Sequence, residues 1–198
     1  MSKIFSEAEK ERIRENLLRK GFESMLEKGY KATIISDLVK EAGIAKGTFY
    51  NFFPNKEEFT IQLLIKQYDV FYDMIREEMK KTDLSEKERI HNVVMNIAQN
   101  KNHRFFFLRL NELVEISRCL SAESMSVYKR EQKLFYKELV TLLGKDPDVC
   151  KPGVVGNLLT LLLAPINSLE SMPFFFTEDR DDTIFYEAHM LFHYIVTH

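Results

Sequence analysis

Two short stretches of apolar periodicity, Thr33 to Ala42 and Ala45 to Phe52, meet at Gly43 with almost no chain between them. Each is too short to fold alone, so both must dock on a neighbour. The first places Ile34, Ile35, Leu38 and Val39 at helical spacing. Gly43 interrupts it, and Pro54 and Asn55 end the second. Two short helices around a glycine-containing turn, packed on a longer preceding helix, make a helix-turn-helix module.

The flanking sequence supplies that longer helix. Ser6-Glu7-Ala8-Glu9 is a capping box, and Ile13, Leu17, Phe22 and Met25 or Leu26 follow as an apolar stripe. Gly29 suits the left-handed position that ends such a helix. Asn55 is placed to cap a further long helix with Glu57 and Glu58 in its first turn. Beyond it, helices are predicted near Ser85 to Asn100, His103 to Ser117, Ser124 to Leu143, Pro152 to Ser171 and Asp181 to Thr197. No stretch alternates cleanly enough for a strand, and 7 Gly and 5 Pro disfavour a turn-rich β chain. The expected class is all-α: an N-terminal three-helix helix-turn-helix module over 1–58 and a larger helical bundle over 59–198.

The chemistry expected of the second short helix follows from its residues. Lys46 can donate to a base acceptor or a phosphate, and Gly47 lets backbone and DNA approach closely. Thr48 offers a hydroxyl and a methyl, while Tyr50 and Asn51 can hydrogen-bond phosphates. Lys56 sits at a helix N-terminus that favours an anion. Phe49, Phe52 and Phe53 read as core. Spacing alone leaves a second account open, in which Lys46 and Lys56 are solvated surface charges and Tyr50 is half-buried packing.

Gly29-Tyr30-x-x-Thr33, then Ala42-Gly43-Ile44-x-x-Gly47-Thr48-Phe49-Tyr50-x-Phe52-Phe53-x-Asn55-Lys56-Glu57, closely resembles the N-terminal module of TetR-family transcriptional regulators. The resemblance covers roughly Arg12 to Leu64. It implies an all-helical homodimer with an N-terminal DNA-binding domain and a C-terminal ligand-binding and dimerisation domain. It implies that Lys46, Gly47, Thr48, Tyr50, Asn51 and Lys56 face double-stranded operator DNA, with Thr33 and Ser36 near its backbone. Two positions depart from the family pattern. Ala45 stands where Ser or Thr is common, which removes a side-chain cap, and Phe52 stands where His is frequent.

Charge agrees only weakly. Residues 1–60 hold 11 Lys+Arg and 10 Asp+Glu, and residues 61–198 hold 17 and 20, within a net of -2. A polycationic coat is excluded, so any DNA contact must come from a local patch. A helical module that no longer binds DNA is the rival reading, resting on Ala45 and this faint charge.

The larger half carries 10 of the 16 Phe and 6 of the 8 Tyr. These either form a solid core or line a pocket for a mainly apolar or aromatic small-molecule effector. The candidates for contacting it are Phe71, Phe106, Arg109, Tyr128 and Phe175, with Arg109 and Tyr128 as polar anchors. Pairing of Arg109 with Glu112 or Glu115 is the favoured alternative to a ligand contact, since a buried charge needs a partner with or without ligand. Pro165 should kink its helix and free the Leu161 carbonyl. His189 and His193 share a helix face, but no third ligand stands at a useful spacing. No Ser-His-Asp order, P-loop or HExxH is present, so no catalytic residue, metal or cofactor is expected.

Cys119 and Cys150 read as reduced thiols, and no signal peptide opens the chain. The uncharged run Pro152–Leu169 carries too many Gly, Pro and Asn for a membrane span. A cytoplasmic protein with no membrane contact is expected. That run, with Ile184, Phe185, Leu191, Phe192 and Ile195, is expected to build a two-fold four-helix interface.

Overall fold

The computed structural model describes residues 5–99 and 109–198, and the described part is helical with no strand. Helix α1 (Glu7–Lys28) begins at the predicted capping box: the Ser6 hydroxyl accepts from the Glu9 amide and Glu9 returns a bond to Ser6. It ends at Gly29, whose φ of 83° is positive but whose ψ of 164° is extended rather than left-handed helical. Helices α2 (Ile35–Glu41) and α3 (Lys46–Phe52) follow, each a little shorter than the sequence suggests.

The turn between them is held by backbone. The Ile44 amide donates to Val39 and the Gly43 amide to Lys40, which completes a Schellman motif. Gly43 takes φ 68° there, a conformation costing any residue with a Cβ about 1 kcal/mol or more. Helix α4 (Lys56–Met79) starts where Asn55 accepts from the Glu58 amide.

The bundle is completed by α5 (Glu86–Gln99), α6 (Leu110–Cys119), α7 (Ala122–Leu142), α8 (Pro152–Asn167) and α9 (Arg180–Thr197). Helix α7 starts two residues earlier than expected because Ser121 caps it, accepting from the Ser124 amide. Helix α8 stops at Asn167 rather than Ser171, and Arg180 meets its end. The Arg180 guanidinium donates to the Pro165 carbonyl at 2.9 Å and to Ile166 at 3.5 Å, a cation on unpaired C-terminal carbonyls. Pro165 lies buried within α8. The aromatic run Phe105-Phe106-Phe107 and the expected start of α6 at His103 fall outside the described residues.

Two apolar cores divide the molecule. The smaller one joins Leu17, Leu18 and Met25 of α1 to Leu38, Val39, Phe49, Phe53 and the first half of α4. The larger one runs from Tyr68 through α5, α7, α8 and α9. The change from one to the other falls inside α4, between Leu64 and Tyr68, so α4 belongs to both. Gly21 lets α1 and α4 close on each other, since a Cβ there would collide with the Phe59 ring.

Candidate nucleic-acid interface and ligand cavity

Helix α3 buries Phe49 and turns the opposite face to solvent. Phe49 and Phe53 are fully buried, tilted against each other and both edge-on to Phe59. Because they anchor the inner face, Lys46, Gly47, Tyr50 and Asn51 are left exposed on the outer one, with Thr48 half-buried. Tyr50 is 43% exposed, and its ring meets Phe49 edge-on at 5.4 Å. A Cβ on Gly47 would meet no protein atom within 4 Å. Ala45 is the N-cap and supplies no side-chain bond, so the first amides of α3 are unclaimed by any cap.

The other expected DNA contacts are placed differently. Ser36 is exposed in the first turn of α2. Thr33 is 4% exposed, and its hydroxyl donates to the Gly29 carbonyl at 3.0 Å. Its side chain braces the α1–α2 loop. Lys56 is half-buried: its ammonium lies 4.5 Å from the centre of the Tyr30 ring and 3.4 Å from the Tyr30 carbonyl. Burial pulls its pKa below the ordinary lysine value.

Where the bundle meets this module, α6 and α7 provide the contact. Ile116 of α6 is buried in the smaller core, which is worth roughly 1.5–3 kcal/mol for a side chain of this size. Lys31 pairs with Glu115 at 2.9 Å. Glu57 accepts from the amide and hydroxyl of Ser121.

The other end of α6 borders a cavity of about 90 Å³. Gln67 and Tyr68 of α4, Leu110 and Leu113 of α6, Tyr128, Gln132 and Tyr136 of α7, and Thr160 to Ser168 at intervals along α8 form its wall. Burial raises the pKa of the Tyr68, Tyr128 and Tyr136 hydroxyls, so all three stay protonated and neutral. Tyr68 and Tyr128 place their hydroxyl oxygens 3.3 Å apart.

Of the expected ligand contacts, Tyr128 lines this cavity. Phe71 is instead 2% exposed within the larger core, edge-on to Phe135. Arg109 is exposed at the start of α6. Its guanidinium reaches Glu170 at 3.4 Å, and its amide, not its side chain, bonds Glu112. Phe175 lies in the loop between α8 and α9, away from the cavity wall. Phe106 is outside the described residues. Gln67 went unrecognised in the sequence, although its spacing gives a signal: it occupies the apolar stripe of α4, four residues before Phe71. Among the described residues, no group of three His, Cys, Asp or Glu could hold a metal, and no helix is long and apolar enough to cross a membrane.

A glycine-turned helix pair with an exposed polar recognition face, joined to a larger helical bundle, defines a helix-turn-helix DNA-binding protein. Residues 17–63, the helix-turn-helix module, match the family model of bacterial regulatory proteins, tetR family. The chain is 38% identical over 58 residues to the transcriptional regulator AcuR of Cereibacter sphaeroides, covering 29% of this chain and 26% of that one. Over 149 residues it is 25% identical to the transcriptional repressor DhaR of Mycobacterium sp. strain GP1, covering 74% of each. The whole fold is similar to that of the fatty acid degradation regulator FadR from Bacillus halodurans. That likeness has a TM-score of 0.62 at 20% identity, over 96% of this chain and 97% of that one.

Proposed function

We propose that the protein is a homodimeric, ligand-responsive repressor that binds a pseudo-palindromic operator and releases it when a small molecule occupies the cavity. The observation that carries this reading is the double position of Tyr128, which lines the cavity and packs against both cores. Helix α6 repeats the pattern, with Leu110 and Leu113 at the cavity and Ile116 in the DNA-binding module. A ligand that changes the seat of either element changes the position of the module.

In the dimer, two α3 helices would enter successive major grooves about 34–36 Å apart. Lys46, Gly47, Thr48, Tyr50 and Asn51 would meet DNA, with Ser36 and Lys56 beside the phosphates. Helices α8 and α9 supply the dimer face: Leu161 of α8 and Phe185, Tyr186 and Met190 of α9 are large, apolar and exposed. The exposed positions of α8 beyond its first turn, Asn157, Thr160 and Leu161, carry no charge.

The test is a gel shift with DNA flanking the protein's own gene, beside sedimentation of the free protein. A retarded complex of one dimer with a two-fold site supports the reading. A monomer that fails to retard any flanking DNA rejects it.

A further inference from the structure

The cavity wall has an unbalanced set of hydrogen-bonding groups. Gln67 is 6% exposed, and its Nε2 donates to the Leu64 carbonyl at 2.7 Å. That bond fixes the amide's orientation, because reversing it would set two oxygens against each other. Its Oε1 is then buried with no hydrogen-bond partner among the described residues. Across the same wall, the Nδ2 of Asn167, the last residue of α8, is buried and equally unpartnered. One wall therefore offers a fixed acceptor and the other an amide free to turn its donor to a ligand, and a buried polar group left unpaired is destabilising.

The described lining of the same surface carries no charge. None of the described lining residues is ionisable to a charged form near neutral pH, since the three tyrosines are held protonated. Arg109, which would have supplied a cation, faces Glu170 instead. An ionised carboxylate or ammonium entering here would lose its hydration without gaining a counter-charge from the described lining residues.

We infer that the cavity takes a small uncharged molecule whose polar head both donates and accepts a hydrogen bond, as a carboxamide does, held between Gln67 and Asn167. This rests on the effector reading above and names the chemical class of the effector. The N–H of the head donates to Gln67 Oε1, and its carbonyl accepts from Asn167 Nδ2. An apolar tail lies along Leu110, Leu113 and Leu163. The size of the space agrees, since it is smaller than the roughly 150 Å³ cavity known to admit benzene.

Butyramide and butyrate have the same heavy-atom count and differ in charge at the head, so they make the test. Saturation-transfer NMR on the full chain at neutral pH should detect butyramide and place butyrate at least tenfold weaker. Gln67→Leu should lose at least tenfold in butyramide affinity while its thermal midpoint holds or rises, because a buried carbonyl oxygen without a partner is removed. A purely structural glutamine would lower the midpoint and leave binding alone, which overturns the inference. So would butyrate binding as tightly as butyramide, or no binding of butyramide at all. If Gln67→Leu fails to fold, Asn167→Leu carries the same two readouts. Butyramide that binds through Gln67 but leaves the DNA complex intact upholds the ligand class and rejects the effector reading.

Discussion

Glu57, in the first turn of α4, accepts two hydrogen bonds from Ser121, one from its amide at 2.9 Å and one from its hydroxyl at 2.7 Å. Ser121 is also the N-cap of α7, so a single serine ties the DNA-binding module to the helix that carries Tyr128. Bonds from Ser124 and Ser121 hold the Glu57 carboxyl below the ordinary glutamate range. A depressed carboxyl pKa contributes stability above its unfolded value, and that contribution is lost as pH falls through the folded value. Glu57→Gln should therefore unfold at lower temperature than the parent at neutral pH, with the gap closing on acidification below the normal glutamate pKa of 4.5. Thermal midpoints of the two proteins across that range check it. A gap that persists in acid would mean that the carboxylate's charge is not what Ser121 recognises.

Two glycines four residues apart should respond in opposite senses to the same change. Gly43 holds a positive φ in the α2–α3 turn, so Gly43→Ala should lower stability by about 1–2 kcal/mol. Gly47 is helical with open space around it, so Gly47→Ala should raise stability by up to about 1 kcal/mol. The added methyl would then stand where DNA approaches, and affinity for DNA should fall even as the fold gains. Denaturant titration and gel shift on the same variants separate the effects. Unchanged DNA affinity in a stabilised Gly47→Ala protein would take α3 out of the groove.

The two lysines differ in the same way. Lys46 is exposed and makes no ion pair within the described residues, so Lys46→Ala should leave stability unchanged. It should weaken binding and lower the magnitude of the salt slope by about 1 per monomer. Lys56 lies over the Tyr30 ring, so Lys56→Ala should also cost about 0.5–1 kcal/mol of fold stability. Equal effects on stability from both would contradict these placements.

The helix-turn-helix module was readable because its signals are local. The capping box of α1, Gly43 and Asn55 act within four residues of themselves, and each sits in the structure where its spacing implies. Thr33 and Lys56 show the limit of that reading. Both look like surface polar residues, yet the α1–α2 loop folds over them. The cavity was harder to read, since its wall is drawn from four helices far apart in sequence. Composition pointed to phenylalanine, but the Phe71 and Phe135 rings are consumed by the core, while tyrosines and amides with polar ends were left for the cavity. Arg180 and Ser121 act on helix ends whose positions depend on tertiary packing, and nothing in their neighbouring residues marks them.

The last prediction concerns the face of α8 and α9. Leu161 is 56% exposed, while its neighbours Leu162 and Leu163 are buried in the larger core. A charge at Leu161 therefore leaves the single chain's packing intact, as its side chain touches solvent rather than core. In a two-fold four-helix interface the same position would be covered, and an unpaired buried charge there is strongly destabilising to the assembly. Leu161→Glu should sediment as a folded monomer with helical content equal to the parent's. It should also bind operator DNA far more weakly, because two half-sites are no longer engaged together. Phe174→Glu is the control. Phe174 is 94% exposed, but it lies in the loop after α8 rather than on the helix face. That variant should remain a dimer. A Leu161→Glu protein that sediments as the parent does would remove this face from the interface and send the search for the dimer contact elsewhere on the bundle.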